Sequence, residues 1–298
     1  MFLTNDVAVK ILDEFVSPGL SSLIGRYSYQ FECKIAKTIP LKFSPDAIFG
    51  LSKNRVLLIG YSDLRILNLK TMKVTDLETE TYSKTDDITP PCAESSGFLY
   101  IAGGYDNDEL WSWNLKTGES DSVKMSKTII SLASLPDGKL AIGLGNKTIV
   151  IRDLKTGVET LLSKFGSEPI AMAYSSVNNS LLVTLKEKPV ALYQEDEEDM
   201  SIVIMLISIN LVTRVKTTLR EDVLPFVGRK EEYGNSSILV LHSGNFITIY
   251  EADDKMRLWD FKYRILTHTY ERDDSRMFTL LSDGFLASLI NDELLLWK

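Results

Sequence analysis

The residues in this chain with the most chemical potential are His242 and His268, the two cysteines Cys33 and Cys92, a Gly143-Leu144-Gly145 run and the acidic stretch Glu195-Asp196-Glu197-Glu198-Asp199. Catalysis needs an acid, base, nucleophile or metal held in a cleft, so each is tested for partners at a working spacing. Both histidines fall in apolar stretches that read as strands, and neither has a cysteine or carboxylate at a metal-ligand spacing. The cysteines are far apart with no second pair, which argues against a zinc site or a disulfide framework and for a reducing compartment. The glycine run closes a strand, has Thr148 where a third glycine would fall and opens no helix, so it does not read as a phosphate loop. Calcium loops place oxygens at alternate positions around a glycine turn; the acidic run lacks both features and reads as a solvated loop. No Gly-x-Ser-x-Gly elbow appears. Gly228-Arg229-Lys230 and Arg214-Val215-Lys216 scatter positive charge without forming a stripe. We assign no catalytic residue, cofactor or metal, and read the chain as a non-enzyme.

The formal net charge of -8 sets up a field that repels phosphate backbones, so nucleic acid is not an expected partner. A membrane is not expected either, because the longest apolar run, Ile202 to Ile207, is far too short to span a bilayer. Asp6, Lys10, Asp13 and Glu14 interrupt the amino-terminal apolar residues, unlike a secretory signal. These features predict a soluble intracellular protein, cytoplasmic or nuclear.

Positioning of any site falls to a repeat. Alternating apolar residues end in Asn or Asp, then an apolar residue, then often Lys-Thr-Gly: Leu64 to Thr71, Leu110 to Gly118 and Thr148 to Gly157. Weaker copies occur at Leu206 to Thr213, Met256 to Lys262 and Leu294 to Lys298. The intervals run from roughly 38 to 57 residues, bracketing the span of a four-stranded propeller blade. Another apolar run precedes each block, as at Arg55 to Gly60 and Lys139 to Gly145, separated from it by turn formers such as Asp106-Asn107-Asp108. Further upstream, Pro136-Asp137-Gly138, Asn178-Asn179, Ser243-Gly244 and Ser282-Asp283-Gly284 each follow a short strand, such as Ile129 to Leu135. A fourth strand follows Thr-Gly, as at Val158 to Leu162.

The pattern resembles the WD-repeat family, whose blades carry Trp-Asp at the end of the third strand. Trp259-Asp260 matches, and Trp113-Asn114 and Arg152-Asp153 come near. With no Gly-His dipeptide, the family's histidine-centred hydrogen-bond network is expected to be absent. Trp113, Trp259 and Trp297 recur at equivalent positions, with Trp111 on the face of Trp113, and read as packing between blades. The resemblance implies an all-β propeller of about six blades over residues 33-298, with seven the alternative if Val190 to Tyr193 and Val223 to Tyr233 form their own unit; otherwise that region reads as a hairpin inserted in blade four. Because the chain ends after a third strand, the family's mode of closure implies that Cys33 to Ile39 supplies the missing outer strand.

Residues 1-32 change period. Val7, Ile11 and Phe15 share a helical face with Leu12 beside them, Asn5 fits an amino-terminal cap, and Ser17-Pro18-Gly19 ends a helix expected over Asp6 to Val16. Leu20, Leu23, Ile24 and Tyr27 suggest a second short helix. Five large apolar side chains here represent on the order of 10 kcal/mol of burial, so the propeller or a partner must cover them. In order and spacing, Leu3, Val7, Ile11, Leu12, Phe15, Leu20, Leu23 and Phe31 resemble an F-box, although Thr4 replaces its proline and a third helix has no room. The resemblance implies a non-catalytic substrate receptor: residues 3-31 bind a Skp-type adaptor of a cullin ubiquitin ligase, and the propeller face binds a target. The alternatives are a structural scaffold without a ubiquitin role, and a propeller hydrolase or lyase, which would need carboxylates or histidines clustered at the central channel.

Overall fold

In a computed structural model, residues 35-60, 63-77, 90-103, 106-186, 190-191, 200-225, 236-250, 255-271, 277-290 and 293-297 are described. The helices expected over residues 6-27 and the F-box-like positions Leu3, Val7, Ile11, Leu12, Phe15, Leu20, Leu23 and Phe31 lie outside them, as does the acidic run 195-199. Among the described residues every regular element is a strand, and no helix is long and apolar enough to cross a membrane.

Strand β1 (Ile35–Pro40) belongs to the last blade, and the ring proper opens after it. Blade one is β2 (Ala47–Leu51), β3 (Arg55–Ile59), β4 (Leu64–Asn68) and β5 (Val74–Leu77). Blade two is β6 (Cys92–Ser95), β7 (Phe98–Gly103), β8 (Glu109–Asn114) and β9 (Ser120–Lys124). Blade three is β10 (Ile129–Leu135), β11 (Lys139–Leu144), β12 (Thr148–Asp153) and β13 (Glu159–Lys164). Blade four holds β14 (Glu168–Ser175), β15 (Ser180–Lys186), β16 (Val190–Ala191), β17 (Met200–Asn210) and β18 (Lys216–Pro225). Blade five is β19 (Ser236–Val240), β20 (Phe246–Tyr250), β21 (Lys255–Asp260) and β22 (Ile265–Glu271). Blade six is β23 (Met277–Leu280), β24 (Leu286–Ile290) and β25 (Glu293–Trp297), with β1 as its outer strand. Within each blade the strands, here lettered A to D from the inside outward, pair antiparallel with their neighbours.

The ring therefore closes by an exchange of strands. Thr38 faces Leu295 and Ile39 faces Leu294 across β1 and β25, which pairs an edge that would otherwise be open to other chains.

The described residues form six sheets and not seven, which sets aside the seventh-blade alternative for the region of blade four. The residues from Val223 to Pro225 are the end of its D strand, and the apolar Ile202 to Ile207 lies inside its C strand rather than in an added unit. Strand β16 continues the line of β15 along β17, with Val190 opposite Ser201, while Ser201 on the other side faces Pro225. The antiparallel pairing of β16 with the start of β17 is the hairpin expected in blade four, built onto a lengthened C strand.

The core consists of six apolar slabs, each lying between two blades. Leu57, Ile59 and Leu64 of blade one meet Leu99, Ile101 and Trp113 of blade two, for example, and Ile39 and Leu294 of blade six meet Val56 and Leu58 of blade one. Because each sheet is covered on both faces, its B strand is apolar almost throughout: Val56, Leu57, Leu58 and Ile59 are all buried. The outer β9 is exposed along its whole length and correspondingly polar.

Candidate interaction surface

One ring face is built from the A–B and C–D turns, and its geometry explains the repeated Asn/Asp-apolar-Lys-Thr-Gly signature. At the end of the C strands of blades one to five an Asn or Asp side chain bends back over the turn. Asn68 Oδ1 accepts the N–H groups of Lys70 and Thr71, Asn114 Oδ1 those of Lys116 and Thr117, and Asp153 Oδ1 those of Lys155 and Thr156, at 2.8 to 3.2 Å. Asn210 repeats the arrangement with Val212 and Thr213, and Asp260 accepts from Tyr263. These are Asx-turns, in which a short polar side chain stands in for a backbone carbonyl. Four residues after the capping residue the backbone turns left-handed, which is why Gly118 and Gly157 occur there, although Met72, Arg214 and Arg264 adopt the same conformation. The backbone donors on Asp153 hold its carboxyl below the usual carboxylate range, with Thr156 the main contributor.

The apolar residue after the cap ties this turn to the A–B turn of its own blade. Leu69 N–H donates to Asn54 O, Leu115 to Gly97 O, Leu154 to Gly138 O and Leu211 to Asn179 O, at 3.0 to 3.1 Å. In blade five Phe261 N–H reaches Asn245 Oδ1 instead. Their side chains plug the adjoining interblade cores. The result is a rigid rim made of equivalent paired turns.

The tryptophans occupy the expected packing role. Trp113 and Trp259 are buried in the slabs between blades one and two and between blades four and five, and Trp111 stacks on Trp113 with ring centroids 5.8 Å apart. Part of a polar network survives without histidine: Trp259 Nε1 donates to Thr248 Oγ1 and Trp297 Nε1 to Ser288 Oγ, both at 2.8 Å.

Among the described residues, those first tested for chemistry do not converge. His242 is exposed in the A–B turn of blade five, after β19 rather than inside a strand as expected, while His268 lies on the outer β22. Cys92 sits on the innermost strand of blade two, where its thiol donates to Pro90 O and burial pushes its pKa up, which disfavours the thiolate. Gly143 owes its identity to packing: a Cβ there would strike Ser131 Oγ and Pro169 of the next blade. Lys216 is spent on structure, stacking 4.4 Å from the Phe165 ring and donating to Lys164 O.

The central channel is a cavity of about 180 Å³ lined by the A strands, with Ile48, Phe49, Ile130, Leu132, Met172 and Phe278 prominent. Among the described residues its lining holds no carboxylate and no histidine, and no group of three or more potential metal ligands occurs elsewhere. The clustered ionisable groups that a hydrolase or lyase reading requires are not in this lining.

Larger openings lie between blades on the turn face. Grooves of about 520, 620 and 710 Å³ separate blades one and two, three and four, and four and five. The reading of the sequence missed them, because each joins turns from two different repeats. The signal that was present is the identity of the cap, which is Asp153 in blade three but Asn210 in blade four.

No family model matches the chain, and no curated protein matches it in sequence. Its backbone nevertheless superposes on known structures. One chain of a crystal structure of the mitotic checkpoint complex matches with a TM-score of 0.59 at 11% identity, covering 89% of this chain and 94% of that one. The β-propeller domain of Cps50 (Swd1) from Myceliophteria thermophila matches with a TM-score of 0.54 at 14% identity, covering 89% and 99%. The fold is a six-bladed β-propeller. At such identities the likeness extends to the ring and not to what either protein binds.

Proposed function

We propose that this propeller is a non-catalytic protein-interaction scaffold and, more specifically, an F-box-like substrate receptor. Residues 3-31 hold a Skp-type adaptor, and the ring holds the target, in the cytoplasm or nucleus. The observation that carries the reading is that residues 35 to 297 already account for six blades and six interblade cores. None of the six described sheets calls on Leu3, Val7, Ile11, Leu12, Phe15, Leu20, Leu23 or Phe31 for a strand, and this reading gives their apolar pattern to the adaptor. The rigid rim of paired turns suits domain and peptide capture, and one of the similar structures is itself part of a multiprotein complex.

The test is a pull-down of purified Skp-type adaptor on the tagged full chain. Retention of the adaptor is expected, with loss in Ile11→Asp and in Leu23→Asp while the circular-dichroism spectrum and melting temperature stay unchanged. An adaptor that is not retained by the folded full chain removes the ligase role and leaves the scaffold.

A further inference from the structure

The groove between blades four and five differs in charge from the other interblade grooves. In the groove between blades three and four, Asp137 and Asp153 offset Lys139 and Arg214. Between blades one and two, Asp76 and Glu119 stand among Arg55, Lys73 and Lys116. Between blades four and five the only charged lining residues among those described are Lys262 and Arg264. The difference arises at equivalent backbone positions. Asn210 caps its C–D turn as Asp153 does one blade earlier. Asn178 precedes Asn179, whose carbonyl receives the Leu211 N–H, as Asp137 precedes Gly138, whose carbonyl receives that of Leu154. Two carboxylates are thus replaced by neutral amides, leaving a net positive groove in a chain of formal charge -8.

Neither cation makes an ion pair among the described residues; Lys262 Nζ lies 5.0 Å from the Tyr263 ring and Arg264 is exposed. Asp260 is buried, with its carboxylate turned to the Tyr263 N–H. The groove is also the largest of the three, and exposed apolar side chains gather at it: Val177 is 60% exposed and Val215 58%, above the part-buried Leu219 and Phe261. Set among Ser, Thr and Asn side chains, these four apolar residues and two cations match an extended chain whose side chains alternate between apolar and acidic.

We infer that this groove docks an acidic, extended peptide segment of a partner protein, with carboxylates on Lys262 and Arg264 and apolar side chains over Val177 and Val215. The inference rests on the scaffold reading but not on its adaptor half. The groove's volume falls within the range of ligand sites, and two solvent-facing charge pairs give salt-sensitive binding.

The probe is a fluorescein-labelled twelve-residue peptide of alternating Glu and Val, titrated by anisotropy with the full chain at low and at physiological salt. Comparison probes are a Lys-Val peptide and a twelve-nucleotide oligothymidylate. Saturable binding of the acidic peptide is expected, weakening with salt. In the Asn178→Asp/Asn210→Asp double variant it should fall roughly tenfold, about 1.4 kcal/mol, because this change installs the carboxylates of the neighbouring groove. That variant is built to fold: Asp serves as the cap in blade three, and a carboxylate at 178 can accept from the Ser175 hydroxyl to which Asn178 Nδ2 now donates. Lys262→Glu/Arg264→Glu should weaken binding further, and Lys70→Glu/Lys116→Glu, at the matching turns of blades one and two, should leave it unchanged. No saturable binding, binding indifferent to the groove variants, or groove-dependent binding of the Lys-Val peptide or oligonucleotide overturns the inference. A negative adaptor pull-down leaves it standing.

Discussion

Asn114 illustrates what a single residue does in this ring. Its side chain accepts two backbone N–H groups that no strand could satisfy, and its neighbour Leu115 carries the bond to the A–B turn. Asn114→Ala should cost about 1 kcal/mol, read as a shift in the urea midpoint at unchanged slope, since exposed turn bonds contribute at the low end of the hydrogen-bond range. Asn114→Asp should be tolerated, as Asp153 shows. Asp153 adds a pH term of definite sign. Because its folded pKa is depressed, the ionised form stabilises the fold above the unfolded pKa, and that contribution disappears as pH falls through the folded value. Asp153→Asn keeps the acceptor oxygen and removes the ionisation, so the variant should lose the carboxylate's contribution at neutral pH and, with it, this part of the pH dependence of acid unfolding. A variant that titrates like the parent would place the acid sensitivity elsewhere. The caps were legible in the sequence as the Asn or Asp that ends the repeated block; their role in setting the charge of a groove was not, because that depends on which turn from another repeat stands opposite.

At the scale of strands, alternation and turn chemistry located most elements, as with Ile129 to Leu135, which is β10 residue for residue. Blade four was harder to read, and the reason is physical. Its C strand runs from Met200 to Asn210, and a length well beyond the usual five or six residues makes one strand look like two. A period-two pattern fixes which residues face which way, not how many strands share the run. The closing strand β1 was expected, over Cys33 to Ile39, from the resemblance to WD-repeat propellers and their mode of closure, and it is found at Ile35–Pro40. Its contribution can be measured. Removing residues 1-41 strips the partner from Leu294, Leu295 and Leu296 and takes Ile39 out of the slab between blades six and one. The shortened chain should melt at lower temperature than one beginning at Cys33 and should form oligomers on gel filtration through the exposed β25 edge. Equal melting temperatures and a monomeric profile would show that closure does not depend on β1.

At the scale of the molecule, the arrangement of the core matters more than its size. A blade has no interior of its own, because each sheet is one layer thick and its apolar faces are completed by its neighbours. No blade can therefore unfold without exposing two slabs, and around a closed ring that exposure is shared by both neighbours. Such coupling predicts one cooperative transition, in contrast to open solenoids, where repeats can fray from an end. Trp113 and Trp259 provide the test, since they fill slabs on opposite sides of the ring, three blades apart, and belong to separate apolar clusters. Each Trp→Ala substitution should cost about 3–5 kcal/mol, and substitution at either site should shift the whole unfolding curve rather than split it. In the double variant the two costs should add to within about 0.5 kcal/mol, as expected for sites without common partners. Intrinsic fluorescence and far-ultraviolet circular dichroism recorded on the same denaturant series should trace the same transition. If Trp113→Ala instead produces an early phase confined to a fraction of the signal, the blades flanking it unfold on their own, and the rim they carry could not serve as a rigid surface for capture.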